Sequence, residues 1–455
     1  MRYYLDPFGC VKNQVDAENM MAHLNNAGWE VVDAENAETA DVIIVNSCGF
    51  IESAKQESID AVIEWRKHYP GKKIILAGCL AQRYAKELPE ILPEADGFMG
   101  VENPAAIVQA AAKLVNINQN AGAFLPVPDP LKMTKQGERP LLSLPGCAYV
   151  KISEGCSNRC SYCAIPLIRG SLVSRTITEV VEECRTLLAR GIVELNIIGQ
   201  DIGAFGTDIT GDSQLPQLLS AISALEGNFW VRLLYIHPDH FPLQILDIME
   251  KDPRILPYFD IPFQHASPEI LAKMNRQVST GCQAPTGEEK YLALLQTIRT
   301  KLPQAVIRST FLLGFPGETD EDFAALLDFQ EKAKLDWLGC FTYSREEGTT
   351  AYLMKNQVPA KIALKRKQAI EERQIQITEK NMDRFTGLTL DVLIEEQITA
   401  ADSSDETLWL GRLYCQAPDI DGTTVITSGE KPLQIGSIVK CKVITPHGFD
   451  LEAAI

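Results

Sequence analysis

Three closely spaced cysteines are the part of this chain best suited to metal chemistry. The run Gly155-Cys156-Ser157-Asn158-Arg159-Cys160-Ser161-Tyr162-Cys163 separates Cys156, Cys160 and Cys163 by three and two residues. A loop of this kind can bind three irons of a cuboidal iron–sulfur cluster and leave the fourth iron without a protein ligand. Such an open coordination position is what metal catalysis needs. Structural zinc and unrelated buried cysteines are the alternatives, but a zinc site usually shows two CxxC pairs.

The spacing resembles the signature of the radical S-adenosylmethionine superfamily. The resemblance implies that Cys156, Cys160 and Cys163 are catalytic and ligate a 4Fe-4S cluster whose open iron binds S-adenosylmethionine. Reductive cleavage of that cofactor yields a 5′-deoxyadenosyl radical. The reaction requires an electron donor, such as flavodoxin or ferredoxin.

Three further cysteines each follow a predicted strand and precede a predicted helix. They are Cys10, Cys48 and Cys79. The apolar runs predict strands at 3–5, 41–48 and 72–79, with helices near 13–26, 53–68 and 81–88. This alternation predicts an α/β fold with a doubly wound N-terminal domain over residues 1–130. The carboxyl ends of its strands would line one crevice, so the three cysteines could converge on a second cluster. Ordinary buried thiols are the alternative for each cysteine taken singly.

The residues around these cysteines resemble the N-terminal domain of the methylthiotransferase family. The segments are Gly9-Cys10-Val11-Lys12-Asn13, Val45-Asn46-Ser47-Cys48-Gly49-Phe50-Ile51 and Gly78-Cys79-Leu80-Ala81-Gln82-Arg83. The resemblance covers nearly the whole chain. It implies that Cys10, Cys48 and Cys79 ligate an auxiliary 4Fe-4S cluster, which gives two clusters in all.

The central region, residues 144–385, is predicted to be a partial (βα)6 barrel. Residues 126–145 before it contain Pro and Gly and are expected to be a linker. Strands are expected near 148–152, 193–198, 231–235, 258–261, 306–313 and 337–343, with helices between them. Six units fall short of the eight of a closed barrel and would leave an open side for a macromolecular substrate.

Several polar and glycine residues follow these predicted strands, and Arg308 lies within one of them. The candidate contacts for S-adenosylmethionine are Gln200, Gln264, Arg308, Gly314, Gly317 and Glu318, and the family resemblance implies such a contact for the glycine-rich turn 314–319. Glycine allows the backbone to approach a ligand closely. The alternative for the glycine-rich turn is that it only caps the helix that begins near Thr319.

The C-terminal region, residues 386–455, is predicted to be a small antiparallel β-barrel. It resembles the TRAM domain, which binds RNA in many methylthiotransferases. Phosphate backbones are bound through Lys and Arg, whereas this segment contains eleven acidic and four basic side chains. The preceding helix, about 360–381, has mixed charge and is expected to be a solvated linker, although an RNA contact there is an alternative.

The net charge of −17 favours a basic protein partner over nucleic acid. The segments 258–265, 343–349 and 411–422 resemble the methylthiotransferase branch that modifies a ribosomal protein. That branch converts one aspartate of small-subunit ribosomal protein twelve to its β-methylthio derivative. Asp402, Asp405, Asp419 and Asp421 are expected to attract this substrate, with the alternative that they only keep the domain soluble. The alternatives are a tRNA (adenosine) methylthiotransferase and a non-enzymatic iron–sulfur carrier.

The location is expected to be cytoplasmic. The chain shows no N-terminal signal peptide and no apolar run of 18 or more residues, so no membrane association is expected. One departure from the family pattern is the stretch 281–287, which contains Cys282 and leaves the local barrel geometry open.

Overall fold

The computed structural model describes residues 1–101, 103–116, 138–276, 287–398, 408–429 and 431–455. The expected linker lies largely outside these residues, and Cys282 lies outside them entirely. Contacts between residues divide the chain into two compact units. The first unit combines Met1–Leu142, Ser153–Val173 and Ser344–Tyr352. The second unit contains Ser143–Ile152, Ser174–Tyr343 and Leu353–Ile455.

The first unit is built on a five-stranded parallel sheet. Its strands are β1 (Arg2–Pro7), β2 (Glu30–Val31), β3 (Val42–Ser47), β4 (Lys73–Gly78) and β5 (Gly97–Met99). The strand order is β2-β1-β3-β4-β5. The helices are α1 (Val11–Asn26), α2 (Glu52–His68), α3 (Cys79–Arg83), α4 (Leu88–Ile91), α5 (Ala106–Asn116) and α6 (Ile165–Arg169).

Both faces of this sheet are covered by helices. Val42 and Ile44 pack with α1 and α5 on one face. Ile43 and Val45 pack with α2 and α3 on the other. Successive side chains of a strand point to opposite faces, so a continuous apolar strand with both faces buried is the pattern of a doubly wound sheet.

The helix predicted near 81–88 is wrong as a single element. The structure has two short helices there, α3 and α4, joined by a turn. Pro89 stands within the first two positions of α4. Proline lacks a backbone N–H and is tolerated in the first turn of a helix, so it begins a new helix more readily than it continues one.

The second unit contains a six-stranded parallel sheet in sequential order. Its strands are β6 (Cys147–Lys151), β9 (Glu194–Ile198), β10 (Trp230–Leu233), β11 (Ile255–Asp260), β12 (Val306–Leu313) and β13 (Trp337–Thr342). The short strands β7 (Ser153–Glu154) and β8 (Val173–Ser174) come between β6 and β9 along the chain and form a separate pair. The sheet order is β13-β12-β11-β10-β9-β6. Because each strand is parallel to its neighbour in sequence and the two edge strands do not pair, the sheet is an open, partial barrel.

Helices connect the strands of this sheet. They are α7 (Ile177–Ala189), α8 (Thr207–Thr210), α9 (Leu215–Ser223), α10 (Ile245–Lys251), α11 (Pro268–Lys273), α12 (Glu288–Lys301), α13 (Asp320–Ala333) and α14 (Ala360–Met382). Helix α14 is not the solvated linker that its mixed charge predicts. It buries one side chain per turn, including Ala363, Ile370 and Met382, and packs on β12 and β13.

The C-terminal segment forms a closed five-stranded barrel. Its strands are β14 (Thr389–Ile398), β15 (Leu408–Leu413), β16 (Thr424–Thr427), β17 (Ile438–His447) and β18 (Asp450–Ala454). Four neighbouring pairs are antiparallel, but β16 and β18 are parallel. An odd number of strands cannot alternate in direction around a closed ring, so one parallel pair is required.

Candidate active site

Three adjacent strands place the N-terminal cysteines. Strand β3 is hydrogen-bonded to β1 on one side and to β4 on the other. Cys48 follows β3 directly, Cys79 is the first residue of α3, and Cys10 immediately precedes α1. Since the strands are parallel, their carboxyl ends meet at one edge of the sheet, and the three cysteines lie at that edge.

Two glycines allow the cysteine loops to pack closely. Gly9 has φ +90°, and a Cβ atom on it would lie 3.0 Å from the Cβ of Cys48. A Cβ on Gly49 would lie 2.6 Å from the carbonyl oxygen of Cys79. A side chain at Gly49 would therefore push the backbone of the third cysteine away from the loop of the second.

Asn13 links the three loops by hydrogen bonds. Its Nδ2 donates to the carbonyl oxygen of Ser47 at 2.8 Å and to that of Phe8 at 3.2 Å. Its Oδ1 accepts from the Cys79 thiol at 3.2 Å, and its backbone carbonyl accepts from Asn46. Asn13 belongs to the first methylthiotransferase segment, but no role for it follows from the sequence alone.

The three thiols differ in how deeply they are buried. Cys10 is exposed, Cys48 is half-buried and Cys79 is buried. Burial raises the pKa of the Cys79 thiol to about 12, while the Arg169 guanidinium acts in the opposite direction. The negative charges of Cys10 and Cys48 also raise that pKa, because the three sulfurs are neighbours. Three soft sulfur donors at one edge suit iron–sulfur ligation.

The loop of the CxxxCxxC motif is held at its start by backbone contacts. Gly155 has φ +67°, and a Cβ on it would lie 2.2 Å from the carbonyl oxygen of Ser171. The N–H of Cys156 donates to the carbonyl of Gly170 at 3.1 Å. Cys156, Cys160 and Cys163 are half-buried. The loop is therefore fixed at one end while its thiols keep partial access to solvent.

The donor set of each triad bears on the kind of metal group it could hold. In the part of the chain that the structure describes, no three His, Cys, Asp or Glu side chains are grouped closely enough to hold one ion. A cuboidal cluster is wider than an ion and separates its cysteine ligands further. The donor sets, three cysteines in each case, fit a cluster better than a hard cation.

The residues predicted to contact S-adenosylmethionine lie mostly past the carboxyl ends of the partial-barrel strands. Gln200 follows β9 and is half-buried. Gln264 follows β11, has φ +69° and pairs with Phe311 of β12. Gly314 and Gly317 follow β12 with φ of +75° and +79°. These strands are parallel, so the residues lie at one edge of the sheet.

Glu318 holds the glycine-rich turn. One carboxylate oxygen accepts hydrogen bonds from the N–H groups of Gly314 at 2.6 Å and Phe315 at 3.1 Å. The other pairs with Arg366 of α14 at 2.7 Å. A Cβ on Gly314 would lie 2.4 Å from the Cβ of Ala363. The turn therefore needs glycine at position 314 to leave room for α14. The same turn lies near the expected position of the cofactor.

Arg308 is placed differently from the other predicted contacts. It is the third residue of β12, and its guanidinium lies 3.2 Å from Asp260 and 3.4 Å from Asp421. Its side chain is 13% exposed. The expectation that Asp421 is an exposed docking charge is wrong, because its side chain is 1% exposed and accepts from Tyr258. Arg308 thus links a barrel strand to the C-terminal barrel, which favours a structural role.

A buried aspartate–histidine group follows β9 and β10. Asp201 accepts a hydrogen bond from His240 Nδ1 at 2.7 Å and another from the backbone N–H of His237 at 3.1 Å. Burial lowers the pKa of His237 well below its usual value. Only the position of Asp201 after a strand signals this group in the sequence, because the histidines are distant along the chain.

Family models match three consecutive parts of the chain. Residues 2–100 match "Uncharacterized protein family UPF0004", residues 150–329 match the radical SAM superfamily and residues 386–455 match the TRAM domain. The chain is 44% identical over 477 residues to the ribosomal protein uS12 methylthiotransferase RimO of Treponema denticola, with 99% of each chain covered. The RimO of Syntrophomonas wolfei is 40% identical, with 97% of each chain covered.

The chain belongs to the RimO family. The predicted methylthiotransferase resemblance is therefore confirmed, and so is the fold class of a doubly wound domain, a partial barrel and a small terminal barrel. The limits 1–130, 144–385 and 386–455 stay predictions. The roles of the individual site residues in this RimO family member also stay predictions.

Solved structures share the fold at low sequence identity. The radical S-adenosylmethionine methyltransferase TsrM from Kitasatospora setae, with cobalamin and a [4Fe-4S] cluster bound, gives a TM-score of 0.56 at 15% identity. The match covers 88% of this chain and 77% of that one. The cobalamin-dependent enzyme OxsB, with S-adenosylmethionine bound, gives 0.51 at 13% identity and covers 82% and 56%. No described helix is both long and apolar enough to cross a membrane.

Proposed function

We propose that this chain methylthiolates the β-carbon of an aspartate in ribosomal protein uS12. The observation that carries the proposal is its identity of 36–44%, over nearly the full length, to proteins named as uS12 methylthiotransferases. Two cysteine triads within the first unit agree with it, since one can serve radical formation and the other sulfur transfer. The alternative of tRNA modification is disfavoured, because these relatives are named for the ribosomal protein.

The chain would use two 4Fe-4S clusters and S-adenosylmethionine. Cys156, Cys160 and Cys163 would ligate the first cluster. Cys10, Cys48 and Cys79 would ligate the auxiliary cluster. When bound, these groups supply a carbon radical, a methyl group and the position from which sulfur is delivered. Gln200, Gln264, Gly314 and Gly317 would contact the cofactor, and Glu318 would hold the turn in shape through its bonds to Gly314 and Phe315.

Radical chemistry suits this substrate. The hydrogens on an aspartate β-carbon are too weakly acidic for a side-chain base near neutral pH to remove efficiently. Abstraction of a hydrogen atom does not depend on that acidity. A chain with this task therefore needs cluster ligands and cofactor contacts more than a strong general base. His265 fits this expectation, because burial lowers its pKa to about 3 and its Nδ1 accepts from two backbone N–H groups.

The substrate would be recognised through acidic surface charge. Glu396, Asp419 and Asp450 of the C-terminal barrel are exposed. Asp421 is buried and takes no part in substrate recognition, while Asp402 and Asp405 lie outside the described residues. Complementary charge accelerates the encounter of an acidic enzyme with a basic ribosomal protein. The reaction would take place in the cytoplasm with flavodoxin or ferredoxin as electron donor, and any RNA contact would be secondary.

The proposal is tested by offering both substrates to the reconstituted enzyme. Purified uS12 and unmodified tRNA are incubated separately with the enzyme, S-adenosylmethionine, a reductant and sulfide. Mass spectrometry should find one methylthio group on an aspartate of uS12 and none on tRNA. Methylthiolation of tRNA with unmodified uS12 would reject the proposal in favour of the alternative. Binding measured at two salt concentrations adds a second criterion, since tRNA recognition through phosphates weakens steeply with salt.

A further inference from the structure

Arg169 ends α6, the short helix that follows the CxxxCxxC loop. Its side chain is 1% exposed. A guanidinium stays charged at any physiological pH, so burying it costs free energy unless anionic or hydrogen-bonding groups surround it. The partners of Arg169 therefore show what the chain uses this buried charge for.

The guanidinium contacts a ligand of the proposed auxiliary cluster. Nη2 of Arg169 lies 3.2 Å from the sulfur of Cys79, 2.6 Å from Asn13 Oδ1 and 2.8 Å from Asp16 Oδ2. Nη1 lies 2.8 Å from Glu154, two residues before Cys156 of the CxxxCxxC motif. One side chain thus touches the third cysteine of the N-terminal triad and the residue that leads into the other triad.

The backbone around Arg169 holds the second triad. The carbonyl of Gly170 accepts from the N–H of Cys156, and the N–H of Leu172 donates to Ser157 Oγ at 3.1 Å. Gly155 lies directly against the same segment. Residues 169–172 therefore contact the CxxxCxxC loop through the backbone and the N-terminal triad through the Arg169 side chain.

The Cys79 sulfur would change from a hydrogen-bond donor to an acceptor on ligating iron. As a thiol, Cys79 donates to Asn13. As a thiolate it can only accept, and the Arg169 N–H group is placed to donate to it. Hydrogen bonds and positive charge at the ligand sulfurs of a cluster stabilise the reduced, more negative state and so raise its reduction potential. Asp16 and Glu154 moderate the charge of Arg169 but do not remove its hydrogen bond.

We propose that Arg169 is a positioning residue that ties Cys79 to the CxxxCxxC loop and raises the reduction potential of the auxiliary cluster. The inference rests on the proposed function, because it requires a cluster on Cys10, Cys48 and Cys79. It adds a residue that lies outside both cysteine triads and outside the predicted cofactor contacts.

The test measures the auxiliary cluster by itself. A background variant with Cys156, Cys160 and Cys163 replaced by Ala retains only the N-terminal triad. Arg169→Gln and Arg169→Lys are added to this full-length background, and each protein is reconstituted and titrated with dithionite under electron paramagnetic resonance. Arg175→Gln is the matched control, because Arg175 is also buried but pairs with Glu183 and the Lys151 carbonyl.

Arg169→Gln should lower the ratio of reduced to oxidised cluster at least tenfold at a fixed potential, a negative shift of about 59 mV for one electron. Arg169→Lys keeps the charge but lacks the two-armed geometry of the guanidinium. Its cluster should have a reduction potential between those of Arg169→Gln and the parent. Arg175→Gln should leave the potential at the parent value.

An unchanged potential in Arg169→Gln would overturn the proposal. If that variant retains no iron, an unchanged potential in Arg169→Lys would overturn it equally. Loss of iron from both variants with normal circular dichroism would limit Arg169 to structural support and reject its effect on the potential. A background variant that binds no iron with Arg169 intact would instead reject the auxiliary cluster, and with it part of the proposed function.

Discussion

Arg412 of the C-terminal barrel forms a buried ion pair with Glu194, the first residue of β9, at 2.5 Å. The Glu194 side chain is completely buried and also pairs with Arg232 at 2.8 Å. Burial alone would raise the pKa of Glu194, but the two arginines outweigh it and lower the pKa to about 2. The C-terminal barrel is therefore joined to the partial barrel by ionised groups inside the second unit.

Breaking this pair should be costly. Glu194→Gln leaves two buried arginines without their shared carboxylate, and we expect a loss of about 3–5 kcal/mol in the free energy of unfolding. Lys440→Met is the control, because its pair with Asp391 is exposed and should contribute less than about 1 kcal/mol. Chemical denaturation measures both. Equal losses of unfolding free energy in the two variants would show that the buried ion pair contributes no more to stability than the exposed one.

The buried Asp421 predicts a dependence of stability on pH. Burial raises its pKa to about 6 against the opposing effect of Arg308, whereas an unfolded aspartate has a pKa of about 4. Between these values the folded chain binds more protons at this site, so its contribution to stability falls as pH rises and is lost above about pH 6. Asp421→Asn removes this contribution.

Denaturation of the metal-free parent and of Asp421→Asn at pH 4.5 and pH 7 checks this dependence. The stability of the parent relative to the variant should fall over that range by about 2 kcal/mol. If the stabilities of the parent and the variant change by the same amount between the two pH values, Asp421 keeps an ordinary pKa in the folded chain.

The sequence predicts those features that depend on local pattern. Continuous apolar runs that each end near a cysteine identify β1, β3 and β4, and parallel topology then places Cys10, Cys48 and Cys79 at one edge. Cysteine spacing similarly identifies the CxxxCxxC loop. Asp421 and Arg308 show the limit of this approach, because their burial depends on a contact between segments that are distant along the chain.

The sequence does not identify Arg169, for the same reason. It is a single charged residue after the apolar run Ala164-Ile165-Pro166-Leu167-Ile168, and it lies 90 residues from Cys79. A lone arginine beside an apolar helix is a weak signal, since such residues usually reach solvent. Only the packing of α6 shows that this one contacts a cysteine of the other triad.

The two triads should separate two activities. Replacing Cys156, Cys160 and Cys163 by Ala should leave about half the iron, in line with one cluster per triad, and abolish 5′-deoxyadenosine formation. Replacing Cys10, Cys48 and Cys79 should spare 5′-deoxyadenosine and eliminate the methylthio product. Iron analysis and chromatography of the reaction products measure these outcomes. Full iron retention in the first variant, or full product yield in the second, would contradict the assignment.

Surface charge on the C-terminal barrel should control the encounter with uS12. Neutralising Glu396, Asp419 and Asp450 to Gln or Asn should slow association and flatten its salt dependence while leaving S-adenosylmethionine cleavage intact. The control neutralises the same number of exposed acidic residues in the first unit, at Glu35, Glu38 and Glu90. Surface plasmon resonance at two ionic strengths compares them. Identical association rates in the C-terminal barrel variant and the first-unit variant would mean that the encounter depends on the total charge of the chain and not on the charge of the C-terminal barrel.

The central claim is tested most directly by the mass of uS12 from cells that lack this gene. Ribosomal proteins are isolated from the parent strain, from the deletion strain, and from deletion strains that carry either the intact gene or the variant without Cys10, Cys48 and Cys79. We predict that uS12 lacks the mass of one methylthio group in the deletion strain, that the intact gene restores it on an aspartate, and that the variant does not. A uS12 of the same mass in the parent and deletion strains would contradict the account.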